Sequence, residues 1–179
     1  MLLGFVFCTG AVQFLRAESV LTFPLPRTVA PPRRRHNLAL HSYGPTVVAS
    51  SYDRHMSGGH HPGFVVDGQN APRPIEKWAS GFFDRKPWLE VRWREARTLE
   101  HVVLFHAGSR SSKEPTSRNY TLQCLTESGP RGILRIEGNI FDIASHTLHC
   151  PNARGLRIAW ERPEWEGPIR LYEVEAWGS

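Results

Sequence analysis

PWLEVRWREARTLEHVVLFHAG, residues 87–108, is the stretch on which the fold turns. In residues 88–93 the side chains of Leu89, Val91 and Trp93 fall on one face and those of Glu90 and Arg92 on the other. That period of two belongs to a half-buried strand. Residues 94–98 are charged and too few for a helix. Residues 99–105 are almost continuously apolar, as in a strand covered on both faces. The stretch therefore reads as two strands joined by a short charged connection and paired antiparallel. Such a pair is marginal alone and calls for a second sheet to pack on.

The same pattern recurs on either side. Tyr120, Leu122 and Cys124 alternate along 119–125, and Leu156, Ile158 and Trp160 along 155–160. Further short strands are expected at 37–40, 46–51, 78–80, 132–136, 140–143, 147–150 and 169–177. Gly44-Pro45 marks a turn, 62–66 a helical turn, and the prolines within 69–77 exclude regular structure there. Between these lie polar loops at 52–63, 107–118 and 161–168. Short strands separated by long polar loops indicate an all-β sandwich beginning at residue 37 and running to 179.

The chain has 179 residues and a formal net charge of +5. Five arginines and one glutamate fall in residues 1–36, so the sandwich itself is near neutral. It has no basic face broad enough to grip phosphates, and nucleic acid is not an expected partner. Residues 1–21 open with the uncharged run LLGFVFCTGAVQFL, too short for the ~20 residues that span a bilayer. It fits the apolar region of a secretory signal with Ala17 near the cleavage point. An apolar end of a larger gene product and an extra strand remain open. Residues 22–36, TFPLPRTVAPPRRRH, read as an extended solvated linker.

Taken in order, ASSYD, HPGFVVDG, KWAS, PWLEV, HVVLFHAG, RNYTLQ and RLYEVEAWG resemble the discoidin, or coagulation factor 5/8 type C, family. The likeness runs from about residue 37 to 178 and is closest to bacterial modules, including those appended to FAD-dependent oxidoreductases. It implies a galactose-binding-like jelly-roll fold and a non-catalytic module, secreted or at the cell surface. Its partner would be a carbohydrate or glycoprotein surface met by loops at one end of the sandwich. The alternative is a structural or docking module of a larger secreted enzyme. Phospholipid docking ranks lower, because YDRHMSGGHHP offers only Met56 as an apolar spike. The chain has no Gly-rich dinucleotide fingerprint and no nucleophile-base signature.

A sugar needs an apolar plane and a few fixed polar groups. The matching loop positions are Tyr52, His55, His60 and His61 in the first loop and Arg110, Arg118 and Asn119 around the second. Glu164 and Trp165 supply the last loop. Trp165 reads either as a platform or as a lid folded over the core. The histidines match no zinc spacing. The resemblance also implies a structural Ca2+, for which Asp67, Asn70 and Glu173 are the candidate ligands. Gln69 and Lys77 stand where the family pattern has Asn and Thr or Ser, and Asp67 capping its own turn is the competing reading. Trp78, Trp88 and Trp93 read as core or core edge. Cys124 and Cys150 end two strands, and either a disulfide or a pair of buried thiols suits them.

Overall fold

The computed structural model describes residues 35–54, 59–70, 76–107, 117–161 and 167–179. Eight strands carry the fold. They are β1 (His36–Asn37), β2 (Thr46–Ala49), β3 (Trp78–Ala79), β4 (Trp88–His106), β5 (Tyr120–Thr126), β6 (Gly129–Ile136), β7 (Ile143–Ala159) and β8 (Arg170–Gly178). All pairing is antiparallel, in the order β1-β8-β4-β7-β5-β6, with β2 on β4 and β3 on β8. The only helical pieces among the described residues are 3-10 turns at His41–Tyr43 and Pro62–Val66.

The central stretch corrects the expectation of two mutually paired strands. β4 is one strand of 19 residues. Its first part pairs with β2 and its last part with β8, while β7 follows both. The charged segment 94–98 contains no Gly, Pro, Asn or Asp to close a turn, so the backbone stays extended. Register shifts between Arg92 and His101 bend it from one layer into the other. β7 does the same, merging the separate strands expected at 143, 147–150 and 155–160. Ile140 and Phe141 remain in the loop before it, and the strand expected at 37–40 gives way after Asn37 to a turn.

Folded over in this way, one layer is β2, β5, β6 and the outer halves of β4 and β7. The facing layer is β1, β3, β8 and the remaining halves. The layers share one core. Leu89, Val91, Leu122, Leu156 and Ile158 of the first meet Leu99, Val102, Leu104, Leu171 and Val174 of the second, all fully buried. Trp78 lies against Trp160 across the gap, ring centroids 5.6 Å apart. The Tyr120 hydroxyl bonds His146 Nε2 at 2.8 Å. A disulfide joins Cys124 of β5 to Cys150 of β7, with Cα atoms 6.3 Å apart, inside the ordinary range. Of the other tryptophans, Trp93 is in the core, whereas Trp88 is half-buried on the outer face beneath Arg157.

The folding-over also sorts the loops. At one end lie the bends of β4 and β7, the β5–β6 turn, and the pairing of His36 with Gly178. At the other end lie the starts of β4, β5 and β8 and the ends of β2 and β6, with the polar loops between them. Among the described residues no helix is long and apolar enough to cross a membrane.

Candidate functional site

The loop end is built from short polar segments tied to one another by hydrogen bonds. Ser50 and Ser51 both donate their hydroxyls to Asp84 Oδ2, each at 2.5 Å. Those hydroxyls in turn accept from Trp88 N and Gly81 N. The Gly81–Asp84 turn is thereby fastened to the end of β2, and the Trp78 indole donates to Ser51 O at 3.0 Å. Held out by this turn, Phe82 and Phe83 are 66% and 85% exposed, their rings edge to face at 5.2 Å. Two bulky, largely exposed apolar side chains on a fixed turn mark a contact surface better than scattered exposure does.

In the loop that follows Ser51, Tyr52 and His61 pack edge to face at 5.3 Å, and the Arg54 guanidinium lies over the Tyr52 ring. His61 Nδ1 accepts from Gly63 N and caps the turn that follows, leaving the ring exposed. His60, next to it, is 5% exposed and faces Asp53, with 3.8 Å from Nδ1 to Oδ2. It props the loop from beneath and does not reach the surface, which corrects its place among surface ligand positions. Arg118 and Asn119 form a second group with the β6–β7 loop. Arg118 O accepts from Asn139 N at 2.8 Å, and Asn119 Oδ1 from Gly138 N at 2.9 Å. On that loop Ile140 and Phe141 are 73% and 65% exposed. His55, Arg110, Glu164 and Trp165 lie outside the described residues.

Below this end sits a layer of buried aromatics. His106 packs on Tyr120 at 5.5 Å, and Tyr120 on Trp160 at 6.3 Å. His106 is 1% exposed and neither ring nitrogen has a hydrogen-bond partner. Burial pushes it down to about 4, with Asp142 opposing and His146 reinforcing the shift.

The proposed calcium ligands fall on the side of the β8 layer. Glu173 is 1% exposed, accepts from Gly68 N on Oε1 at 3.2 Å, and has no partner on Oε2. Burial pushes its carboxyl up to about 9. The Gly68 N–H pulls the other way, and the charges of Asp67 and Glu175 add to the rise. The nearby Asp67 side chain thus works against ionisation of Glu173. Two carboxyls so placed need a proton or a cation between them. Asp67 Oδ1 accepts from Gln69 N at 2.8 Å, the turn cap of the competing reading, and a second oxygen is left for other work. Asn70, three residues after Asp67, is exposed. Among the described residues no group of three or more His, Cys, Asp or Glu side chains converges. Calcium also takes amide and carbonyl oxygens, so the pair fits as part of an oxygen cage. Lys77 is buried with its ammonium over the Tyr172 ring at 5.7 Å.

Sequence reasoning missed Phe82 and Phe83, for which apolar residues in a gap between strands were the available signal, and it placed Ile140 and Phe141 in a strand expected at 140–143.

No protein-family model and no curated protein sequence matches the chain. Solved structures do. Chitosan-binding module 1 of a chitosanase/glucanase from Paenibacillus sp. IK-5 matches with TM-score 0.63 and 23% identity, over 80% of this chain and 99% of that one. The family 32 carbohydrate-binding module of Streptococcus pneumoniae EndoD matches at 0.62 and 20%, over 80% and 100%. The lectin domain of lectinolysin, solved with Lewis B antigen, matches at 0.62 and 19%, over 80% and 97%. At these identities the likeness fixes the β-sandwich fold that the described residues share with such modules.

Proposed function

We propose that this chain is a non-catalytic carbohydrate-binding module that meets its sugar at the loop end. The observation that carries the reading is the exposed Phe82–Phe83 pair on a turn tied to Ser51, the residue before Tyr52, whose ring packs on His61. It supplies the apolar surface that a sugar ring needs, next to imidazole, phenol and guanidinium groups for hydroxyls. Modules of the same fold bind chitosan, fucose and Lewis antigens, which supports the reading. Asp67 and Glu173 hold a structural Ca2+ behind the loops, keeping the 62–70 segment on β8. The Cys124–Cys150 disulfide suits a secreted or cell-surface protein.

A glycan array probed with wild type and with Phe82→Ala/Phe83→Ala tests this. Selective binding by wild type, weakened at least tenfold in the variant, is expected. No binding by folded wild type defeats it. Recruitment to phosphatidylserine vesicles in place of glycans, lost in the same variant, replaces it with a lipid reading. One observation favours a second reading, docking to another protein domain. Ile140, Phe141 and Ile143 leave an apolar edge of 73%, 65% and 49% exposed side chains on the other loop group.

A further inference from the structure

The outer face of the layer containing β5 and β6 is not a flat, filled sheet surface. Across it, Trp88 pairs with Ala159, Ala159 with Thr121, and Thr121 with Arg135. In the next row Glu90 pairs with Arg157, Arg157 with Gln123, and Gln123 with Gly132. The first row is short in its middle, at Ala159 and Thr121, and the second ends short on β6, at Gly132. A Cβ placed on Gly132 would meet only Thr121 Cγ2, at 4.0 Å. The flanks are tall. The result is an open trough of about 720 Å³, within the roughly 300–1,000 Å³ of small-molecule sites. It spans three strand spacings, roughly 14 Å, and follows β5 from Asn119 to the level of Pro130.

Its walls are braced. The Arg157 guanidinium lies over the Trp88 ring at 4.3 Å and binds Glu90 at 3.3 Å. Glu90 is 2% exposed and also takes Arg92. On the far wall Arg135 pairs with Glu137 at 2.8 Å. Lys86 and Glu161 also line it, so Lys86, Arg135 and Arg157 stand against Glu137, Glu161 and the Glu90 behind Arg157, and the trough offers little net charge to an ionic ligand. What it offers instead are amides and a hydroxyl, from Asn119, Gln123 and Thr121, beside an indole. Hydroxyl-rich, uncharged and extended is the description of a ligand for this surface.

We propose that this trough is a second glycan-binding surface, which takes a linear, uncharged β-1,4-linked oligosaccharide lengthwise along β5 between Trp88 and Arg135. It extends the reading above from one site at the loop end to two on one module, and each has its own reporters.

The test is amide and indole chemical-shift perturbation of the full chain titrated with cellotetraose and with N-acetylated chitotetraose. Shifts are expected at Thr121, Gln123, Gly132 and the Trp88 indole with at least one of them. Gly132→Trp fills the trough, and Gln123→Ala is a milder variant that only removes the amide. The first should abolish these shifts and the second should weaken binding severalfold, with shifts around Tyr52 and Phe82 untouched. Phe82→Ala/Phe83→Ala should do the converse. Shifts confined to the loop end, no shifts with either tetrasaccharide, or trough shifts that survive Gly132→Trp would overturn the proposal. So would a preference for tetragalacturonate that fades with salt, since that makes the ligand anionic. Trough shifts without loop-end shifts would sink the first reading and leave this one.

Discussion

Glu173→Gln isolates the buried carboxyl on β8. In the wild type the group is raised from an ordinary 4.5 to about 9, so the folded state holds its proton far more tightly than the unfolded chain does. The stability this contributes is complete below pH 4.5 and is lost progressively as pH rises to about 9. Between those limits the slope approaches 1.4 kcal/mol per pH unit, so pH 6 to 8 costs up to about 2.7 kcal/mol. For a domain of this size that is on the order of 8 °C in Tm. Gln keeps the shape: its carbonyl still accepts from Gly68 N, with nothing to ionise. Thermal unfolding from pH 5 to 9 in EDTA should therefore fall across the range for wild type and stay nearly flat for the variant. Calcium reverses the wild-type trend, because the ion replaces the proton. At a hundredfold excess over Kd it adds about 2.7 kcal/mol, and its affinity climbs as pH rises toward 9. The variant gains nothing from calcium. Parallel pH curves for the two proteins would refute the buried protonated carboxyl, and a wild-type Tm indifferent to calcium at every pH would remove the ion.

Three other outcomes are expected. Reducing the Cys124–Cys150 bond, which closes a separation of 26 residues, should cost about 3.5 kcal/mol by loop entropy. A Tm drop near 10 °C together with two thiols appearing only after reduction checks it. His106 is held neutral, so its contribution is present above pH 6.5 and lost as pH falls toward 4. His106→Leu removes two unbonded buried nitrogens and should flatten the acid limb of urea unfolding measured at pH 4.5 and 7. Phe82→Ala/Phe83→Ala should leave unfolding within about 0.5 kcal/mol of wild type, since both side chains are mostly exposed. Calorimetric titration should show its sugar affinity at least tenfold weaker.

Alternation was the most legible feature of the sequence. Tyr120, Leu122 and Cys124, and then Leu156, Ile158 and Trp160, are all at most 3% exposed, because a strand on a two-layer core has one choice of inward face. Continuity was not legible. A charged run such as 94–98 looks like a connector whether the backbone turns or carries on, and only the layer it joins decides. Burial on loops was less legible still. His60 and His61 are neighbours of the same type, one under the surface and one on it, and what separates them is contact with Asp53 and Ala79. Glu173 alternates outward with Glu175. It is buried because a segment more than a hundred residues earlier folds over it, as the Gly68 bond shows. Phe82 and Phe83 carry no periodic signal at all.

The bends of β4 and β7 have a practical side. Thr98 exchanges two backbone hydrogen bonds with Ser179, and His36 pairs with Gly178. His36 and Ser179 are thus side by side at the pole opposite Phe82 and Asn119. A fusion or tag attached there acts as a stalk, and a sensor chip that captures the protein by residue 179 leaves the opposite pole facing the analyte stream.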